Sequence, residues 1–129
     1  MEYQIYTDGA YSPTNNSGAI AFVILKDNKM INSFAKKYTK TTNQRMEQLA
    51  VVYALKAITV PSNITLYSDS AYVVNTYTKN WKRKCNLDLW KKLDEVIKFH
   101  NKVEFIHVKG HNKNEYNEYC DYLARMSNK

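Results

Sequence analysis

The chain has 129 residues, 44% of them hydrophobic, which predicts a single folded domain over residues 1–129 and excludes a disordered chain. Its 19 Lys and Arg outnumber its 12 Asp and Glu, and the resulting net charge of +7 favours an anionic partner such as nucleic acid. No apolar run approaches the roughly eighteen residues of a membrane span, and the N-terminus lacks the character of a signal peptide, so we expect a cytoplasmic protein.

Three runs separated by short links open the chain and predict an antiparallel meander of strands over residues 2–7, 18–25 and 30–38, the second of them rich in Ile, Val and Phe. Asp27-Asn28 supplies the turn between the second and third strands. We expect the first strand to end at Asp8-Gly9, because this dipeptide is a strong turn signal.

Helices and strands alternate in the rest of the chain. Thr41 and Thr42 offer N-cap hydroxyls to a helix that reaches Ala57. The later predicted elements are a strand over 64–67, a helix capped by Ser70 and running to Tyr77, an irregular basic segment over 79–86, a helix over 87–99, a strand over 103–108 and a helix over 115–126. This order predicts an α/β fold, a mixed five-stranded sheet with helices on both faces.

Four acidic residues of the predicted elements are candidates for one shared site: Asp8, Glu47, Asp69 and Asp121. Asp8 and Asp69 are predicted at the carboxyl ends of strands, Glu47 in the first turns of a helix, and Asp121 on the last helix. Ligands of open α/β sheets bind just beyond those strand ends, so the four acids can share one rim. Each acid alone has an ordinary explanation, as a turn residue, a helix cap or an exposed helix residue.

Clustered carboxylates on a basic chain indicate a divalent cation. Without metal, the carboxylates would repel one another and raise one another's pKa. Hydrolysis of a phosphodiester needs an activated water and neutralisation of the attacked and leaving oxygens, which two Mg²⁺ ions about 4 Å apart can supply. The combination predicts a metal-dependent enzyme that acts on nucleic acid.

The sequence around these acids narrows the prediction further. The informative stretches are Tyr6-Thr-Asp-Gly9, Thr41-Thr-Asn-Gln-Arg-Met-Glu47, Tyr67-Ser-Asp-Ser70, Asn80-Trp81-Lys82, Asn86-Leu-Asp-Leu-Trp90, Val108-Lys-Gly-His111 and Asn117-Glu-Tyr-Cys-Asp121. In these stretches and in their order, the chain resembles the type-1 ribonuclease H family over essentially its whole length. The resemblance implies the ribonuclease H-like fold and cleavage of the RNA strand of RNA/DNA hybrids to 5′-phosphate and 3′-hydroxyl ends.

The same resemblance assigns roles to individual residues. It implies Asp8, Glu47, Asp69 and Asp121 as ligands of two Mg²⁺ ions, with Mn²⁺ as a substitute and Asp8 as the bridge. His111 matches a loop histidine that assists proton handling or product release. The positions that match substrate contacts are Asn43 and Gln44 in the minor groove, Lys40, Thr42 and Asn86 at a DNA-strand phosphate, and Trp81 on a deoxyribose.

Several residues outside these roles are expected to be structural. Trp90 has helical spacing with Leu93 and is predicted to lie in the core, whereas core and substrate contact are equally open for Trp81. His100 and His107 lie in no comparable frame. Cys85 and Cys120 match no zinc spacing and are expected to be reduced thiols.

The chain also departs from the family pattern. The segment between Trp81 and Trp90 is shorter than in bacterial members that carry a full basic protrusion, which predicts a weaker grip on substrate. Two alternatives stay open: a nuclease of the same fold that cleaves DNA, and a hybrid-binding module without catalysis. We expect a free-standing monomer without an obligate protein partner.

Overall fold

The computed structural model describes residues 1–109 and 114–129. The described elements are β1 (Glu2–Ser12), β2 (Ser17–Lys26), β3 (Lys29–Thr39), α1 (Asn43–Ala57), β4 (Asn63–Ser68), α2 (Ala71–Thr78), α3 (Leu87–Phe99), β5 (Lys102–His107) and α4 (Glu115–Ser127). Their types and order agree with the prediction from the sequence. No helix within the described ranges is long and apolar enough to cross a membrane.

The five strands form one mixed sheet in the order β3-β2-β1-β4-β5. β1, β2 and β3 pair antiparallel, and β4 and β5 run parallel to β1 on the other side. Asp27 and Asn28 adopt positive φ angles in the tight turn between β2 and β3, as a two-residue hairpin turn requires. The predicted mixed sheet is thereby confirmed.

The end predicted for the first strand was wrong. β1 continues through Asp8 and Gly9 to Ser12, and these residues pair with residues 17–21 of β2. Pairing with β4, however, ends at Thr7 opposite Ser68. Asp8 is therefore the first residue of β1 beyond the parallel part of the sheet, although it lies within a strand. The predicted position of Asp8 at this edge of the sheet is therefore correct, but the turn predicted at Asp8-Gly9 is not.

Alternating side chains of the strands build a core on each face of the sheet. Ile5, Phe22 and Leu66 pack with α1, α2 and α3, together with the buried Trp90, which is 1% exposed. Tyr6 and its neighbours on β2 pack on the other face against α4. The helices therefore cover both faces, as predicted, and α1 and α4 approach the same edge from opposite sides.

Candidate active site

The register between β1 and β4 brings two of the four acids together. Thr7 lies opposite Ser68, so Asp8 and Asp69 are the next residues on neighbouring parallel strands. Asp8 is 5% exposed, and its Oδ1 accepts a 2.9 Å hydrogen bond from the backbone N–H of Gly9. Ser70 follows Asp69 and caps α2 by accepting a hydrogen bond from the N–H of Val73. This cap fixes the point at which the chain leaves the sheet.

Glu47 reaches the same edge from α1. Thr42 caps that helix, because its hydroxyl accepts a hydrogen bond from the N–H of Arg45. Gly9 allows the helix to approach β1 closely: a β-carbon at Gly9 would lie 2.7 Å from both the backbone nitrogen and Oε1 of Glu47. Glycine is needed at position 9 because α1 packs closely against β1 at Glu47. A positive φ angle is not the reason, since the φ angle of Gly9 is not positive.

Asp121 reaches the cluster from the opposite face of the sheet. It lies on α4 and interacts with Asp8, and Arg125 donates a 3.0 Å hydrogen bond to its Oδ2. The preceding residue, Cys120, is fully buried, and its thiol donates to the carbonyl oxygen of Tyr6 on β1. Cys120 therefore fastens α4 to β1 beside Asp8, in agreement with its expected packing role.

The four acids line one open cleft of about 420 Å³. Carboxylate oxygens of Asp8, Glu47 and Asp69 all lie within 4.8 Å of one another. Asp121 lines the same cleft, beside Asp8. The convergence expected from the sequence is therefore present, with the acids supplied by β1, α1, α4 and the connection between β4 and α2.

Burial and mutual repulsion raise the pKa values of the two most enclosed acids. Burial is the largest cause of the pKa of Asp8 rising to about 8, and the charge of Asp69 adds to the effect. The pKa of Glu47 is also well above its ordinary value, chiefly through burial and then through the charge of Asp8. The metal-free cluster consequently retains protons at neutral pH.

The donor set fits a hard divalent cation. All the converging atoms are carboxylate oxygens, which Mg²⁺ and Mn²⁺ prefer. Oε1 of Glu47 is buried and has no hydrogen-bond partner among the described residues. A buried acceptor without a donor is costly, and a cation would satisfy it while relieving the repulsion. The residues present therefore fit a metal ion.

A test of stability against pH follows from Asp8. Its pKa is about 8 in the folded protein and 3.8 as the ordinary value, so folding retains a proton that the unfolded chain releases between these pH values. This contribution to the free energy of unfolding is complete below pH 3.8 and is lost as the pH rises through 8. In EDTA, the melting temperature of the wild type should fall by a few degrees from pH 6 to pH 8.5, when it is measured relative to the melting temperature of Asp8→Asn at the same pH.

Added Mg²⁺ should act in the opposite direction. Protons compete less with the ion at high pH, so Mg²⁺ should raise the melting temperature of the wild type more at pH 8.5 than at pH 6. Asp8→Asn is the matched control, since it removes the titrating group and keeps the shape of the side chain. Equal stabilisation by Mg²⁺ in the two proteins at both pH values would contradict a metal site at Asp8.

Two of the proposed substrate-contacting residues lie directly beside the acids. Asn43 and Gln44, in the first turn of α1, line the same cleft as Asp8 and Glu47. Their amides can both donate and accept hydrogen bonds, which suits contact with a 2′-hydroxyl. Thr42 caps α1, so the Asn43 side chain is not used for capping the helix.

Arg45 lies within the Thr41–Glu47 stretch, but the sequence predicts no role for it. Its guanidinium donates to Oδ1 of Asn86 at 3.1 Å and forms a bidentate pair with Asp88. Because Arg45 occupies Oδ1, the amide nitrogen of Asn86 points toward Tyr72, at 3.3 Å from its hydroxyl. The same nitrogen also lies 3.8 Å from Sγ of Cys85, so contacts on both sides fix the orientation of the Asn86 amide. Only the three-dimensional contact across 41 residues reveals this link.

The remaining candidates are placed as follows. Lys40 lies in the connection between β3 and α1 with a positive φ angle, and its N–H donates to the carbonyl of Asn16. Trp81 is 47% exposed, which excludes the core position that was its alternative. His111 lies outside the described residues. His107 donates to the backbone carbonyl of Asp69 at 3.2 Å.

Comparisons with known proteins agree with this site. The RNase H family model matches residues 1–129. The ribonuclease H of Prosthecochloris aestuarii is 41% identical, over 95% of this chain and 92% of its own length. The ribonuclease H of Clostridium botulinum strain Hall is 43% identical, over 93% of this chain and 91% of its own length. The chain belongs to the RNase H family, and it is an enzyme, a nuclease of the hydrolase class.

Solved structures show the same fold. RNase H1 of the halophilic archaeon Halobacterium salinarum superposes with a TM-score of 0.84 at 23% identity, covering 98% of this chain and 97% of that protein. LC11-RNase H1, solved in complex with an RNA/DNA hybrid, superposes with a TM-score of 0.86 at 20% identity, covering 98% and 96%. The mixed sheet with helices on both faces is thus the ribonuclease H-like fold.

Proposed function

We propose that this protein is a metal-dependent endonuclease that hydrolyses the RNA strand of RNA/DNA hybrids. One observation carries the proposal: oxygens of Asp8, Glu47 and Asp69 converge within 4.8 Å on a chain with a net charge of +7. A positive surface attracts the nucleic-acid backbone, and the negative cleft needs a cation before it can accept a phosphate. Membership of the RNase H family supports the same substrate.

Four side chains of this enzyme would hold two Mg²⁺ ions: Asp8, Glu47, Asp69 and Asp121. When bound, the ions supply an activated water and neutralise charge on the attacked phosphate. Asp8 and Glu47 release the protons that they retain in the metal-free protein, so ion binding is stronger at higher pH. Arg125 fixes Asp121 on α4, and the cap of Ser70 holds the chain that follows Asp69.

Residues beside the cleft would select the substrate. Asn43 and Gln44 lie next to the acids, where they can contact the 2′-hydroxyls of the RNA strand in a shallow minor groove. Asn86, oriented by Arg45, would bind a phosphate of the DNA strand together with Lys40 and Thr42. His111 would assist proton transfer or product release. The active unit is a monomer in this proposal.

A labelled-strand assay tests the proposed function. The protein is incubated with Mg²⁺ and an RNA/DNA hybrid labelled on either strand, and with matched DNA and RNA duplexes. Cleavage should occur in the RNA strand of the hybrid and leave 5′-phosphate ends, with none in EDTA. Equal cleavage of the DNA duplex would favour a DNA nuclease of the same fold. Binding of the hybrid without cleavage in Mg²⁺ or Mn²⁺ would favour a module without catalysis.

A further inference from the structure

Residues 79–86 join α2 to α3 and form the most basic stretch of the chain, with Lys79, Lys82, Arg83 and Lys84. No residue from 79 to 85 is buried, and the segment contains neither helix nor strand. Burial of apolar side chains therefore cannot fix its conformation. Trp81 is nevertheless held out from the body of the protein and is 47% exposed. The backbone N–H groups of Lys79 and Trp81 donate to the carbonyl oxygen of Asn75 on α2, at 2.8 and 3.4 Å, and hold the start of the segment. Beyond Trp81, a side-chain contact must keep the segment ordered.

Arg83 makes that contact, with three residues that lie outside the segment. Its Nη1 and Nη2 bind the two carboxylate oxygens of Asp94 on α3, at 2.5 and 3.0 Å. The hydroxyl of Tyr77 on α2 donates to Oδ1 of Asp94 at 2.9 Å. The guanidinium also lies 5.3 Å from the ring centroids of Tyr77 and the core residue Trp90. These four residues, Arg83, Asp94, Tyr77 and Trp90, form what we term the Arg83 clamp.

The clamp joins the exposed segment to two helices by directional contacts. A bidentate guanidinium–carboxylate pair fixes orientation as well as distance, and stacking on the rings restricts it further. The Arg83 side chain is only about one-third exposed (33%), so the pair is partly shielded from water. The carboxylate of Asp94 restricts the motion of the Arg83 guanidinium and accepts hydrogen bonds from its N–H groups. Arg83 is therefore a poor ligand for phosphate.

The other cations of the segment have no such partner. Within the part of the chain that the structure describes, Lys79, Lys82 and Lys84 form no ion pair. They flank the exposed indole of Trp81, an arrangement in which a ring can pack on a sugar while ammonium groups contact phosphates. Arg83 therefore stabilises the conformation of the segment, whereas the three lysines of the segment are exposed to solvent.

We propose that the Arg83 clamp positions Trp81 and its neighbouring lysines as a hybrid-binding surface, in place of packing that this short segment lacks. Arg83 and Asp94 are positioning residues in this proposal and do not contact the nucleic acid. The inference rests on the proposed function, since it concerns the binding of the same substrate. It deepens that function by assigning substrate affinity to an internal ion pair.

Asp94→Ala gives a test in which the sign of the effect decides. The substitution removes a negative charge and releases Arg83, so electrostatics alone would strengthen binding of a polyanion. Loss of the clamp should instead weaken binding of the hybrid about two- to fivefold, the range expected from loss of one partly exposed ion pair. KM should rise by the same factor with kcat unchanged. Tighter binding by Asp94→Ala would overturn the proposal.

A double-mutant cycle separates positioning from direct contact. Arg83→Gln and Trp81→Ala should each weaken binding, and the double variant should lose less affinity than the product of the two single effects, because part of the effect of the clamp is transmitted through Trp81. Fully multiplicative effects would mean that Arg83 contacts the hybrid itself, which would contradict the proposal. The exchange Arg83→Asp with Asp94→Arg should recover affinity relative to either single charge variant.

Binding is measured by fluorescence anisotropy with a labelled hybrid in EDTA, and cleavage is measured separately in Mg²⁺. Glu104→Gln is the matched control, because it removes an exposed acid of the Lys102–Glu104 pair on β5 and should leave hybrid affinity unchanged. Thermal unfolding verifies that each variant is folded. If the wild type binds hybrids but does not cleave them, the proposed function fails while the clamp is still tested. If affinity is identical in the wild type and every clamp variant, the clamp proposal fails alone.

Discussion

Replacing Asp8 by Asn is expected to reduce cleavage of the hybrid to below about a thousandth of the wild-type rate. The amide has nearly the shape of the carboxylate, so β1 and its pairing with β2 should persist. It lacks the negative charge that attracts a cation, and Asp8 interacts with each of the other three acids. Single-turnover cleavage in saturating Mg²⁺ measures the effect, and hybrid affinity should stay within about threefold.

The same substitution should stabilise the metal-free protein at pH 8.5. Asp8 is buried against Asp69 and Glu47, so removal of its charge relieves repulsion when no cation is present. Opposite effects on activity and stability distinguish a functional charge from a structural one. Retention of full activity by Asp8→Asn, with normal folding, would refute the assignment of Asp8 to the catalytic centre.

Gly9→Ala is expected to have the second-largest effect, although the change adds only one carbon. The new β-carbon would lie 2.7 Å from the backbone nitrogen of Glu47 and 2.8 Å from the carbonyl carbon of Met46. Backbone atoms of a capped helix cannot move independently, so α1 must shift away from β1. A displacement of about 1 Å at Glu47 should lower activity about a hundredfold. Overpacking should also destabilise the fold by about 1–3 kcal/mol.

Gly18→Ala is the control for Gly9→Ala. A β-carbon at Gly18 would lie 2.7 Å from the carbonyl oxygen of Ala10 and 2.6 Å from the flexible side chain of Met46, so its nearest contacts are not with Glu47. It should therefore destabilise the protein by a similar amount and leave more activity per folded molecule. Cleavage rates are compared below the melting temperature of both variants. Equal specific activity of the two variants would show that Gly9 has only a packing role.

The sequence was sufficient to predict every element of the described fold, because hydrophobic periodicity and caps such as Thr42 and Ser70 agree with the final structure. It failed at the end of β1. Asp8-Gly9 has the composition of a turn, yet the glycine is needed for contact with α1, which is 38 positions away in the chain at Glu47. Local signals cannot distinguish a glycine chosen for its φ angle from one chosen for close packing.

The acids of the candidate site could be predicted from the sequence, but the arginines that position other residues around it could not. Asp8, Glu47 and Asp69 were predicted near strand or helix ends, so topology alone suggested that they converge. Arg45 and Arg83 carry no comparable signal, since surface arginines are common and their partners Asp88 and Asp94 are defined only by the folded structure. Exposure also decided the position of Trp81, which the sequence left open between core and surface.

Diffraction from crystals soaked in Mn²⁺ at pH 8 tests the central claim most directly, because manganese scatters anomalously and each ion can be located without reference to activity. We predict anomalous peaks within coordination distance of Asp8, Glu47, Asp69 and Asp121, and loss of the peaks beside Asp8 in crystals of Asp8→Asn. Well-ordered crystals with no manganese at these carboxylates, or with the same occupancy in Asp8→Asn, would contradict the assignment of this cleft as the metal-dependent catalytic centre.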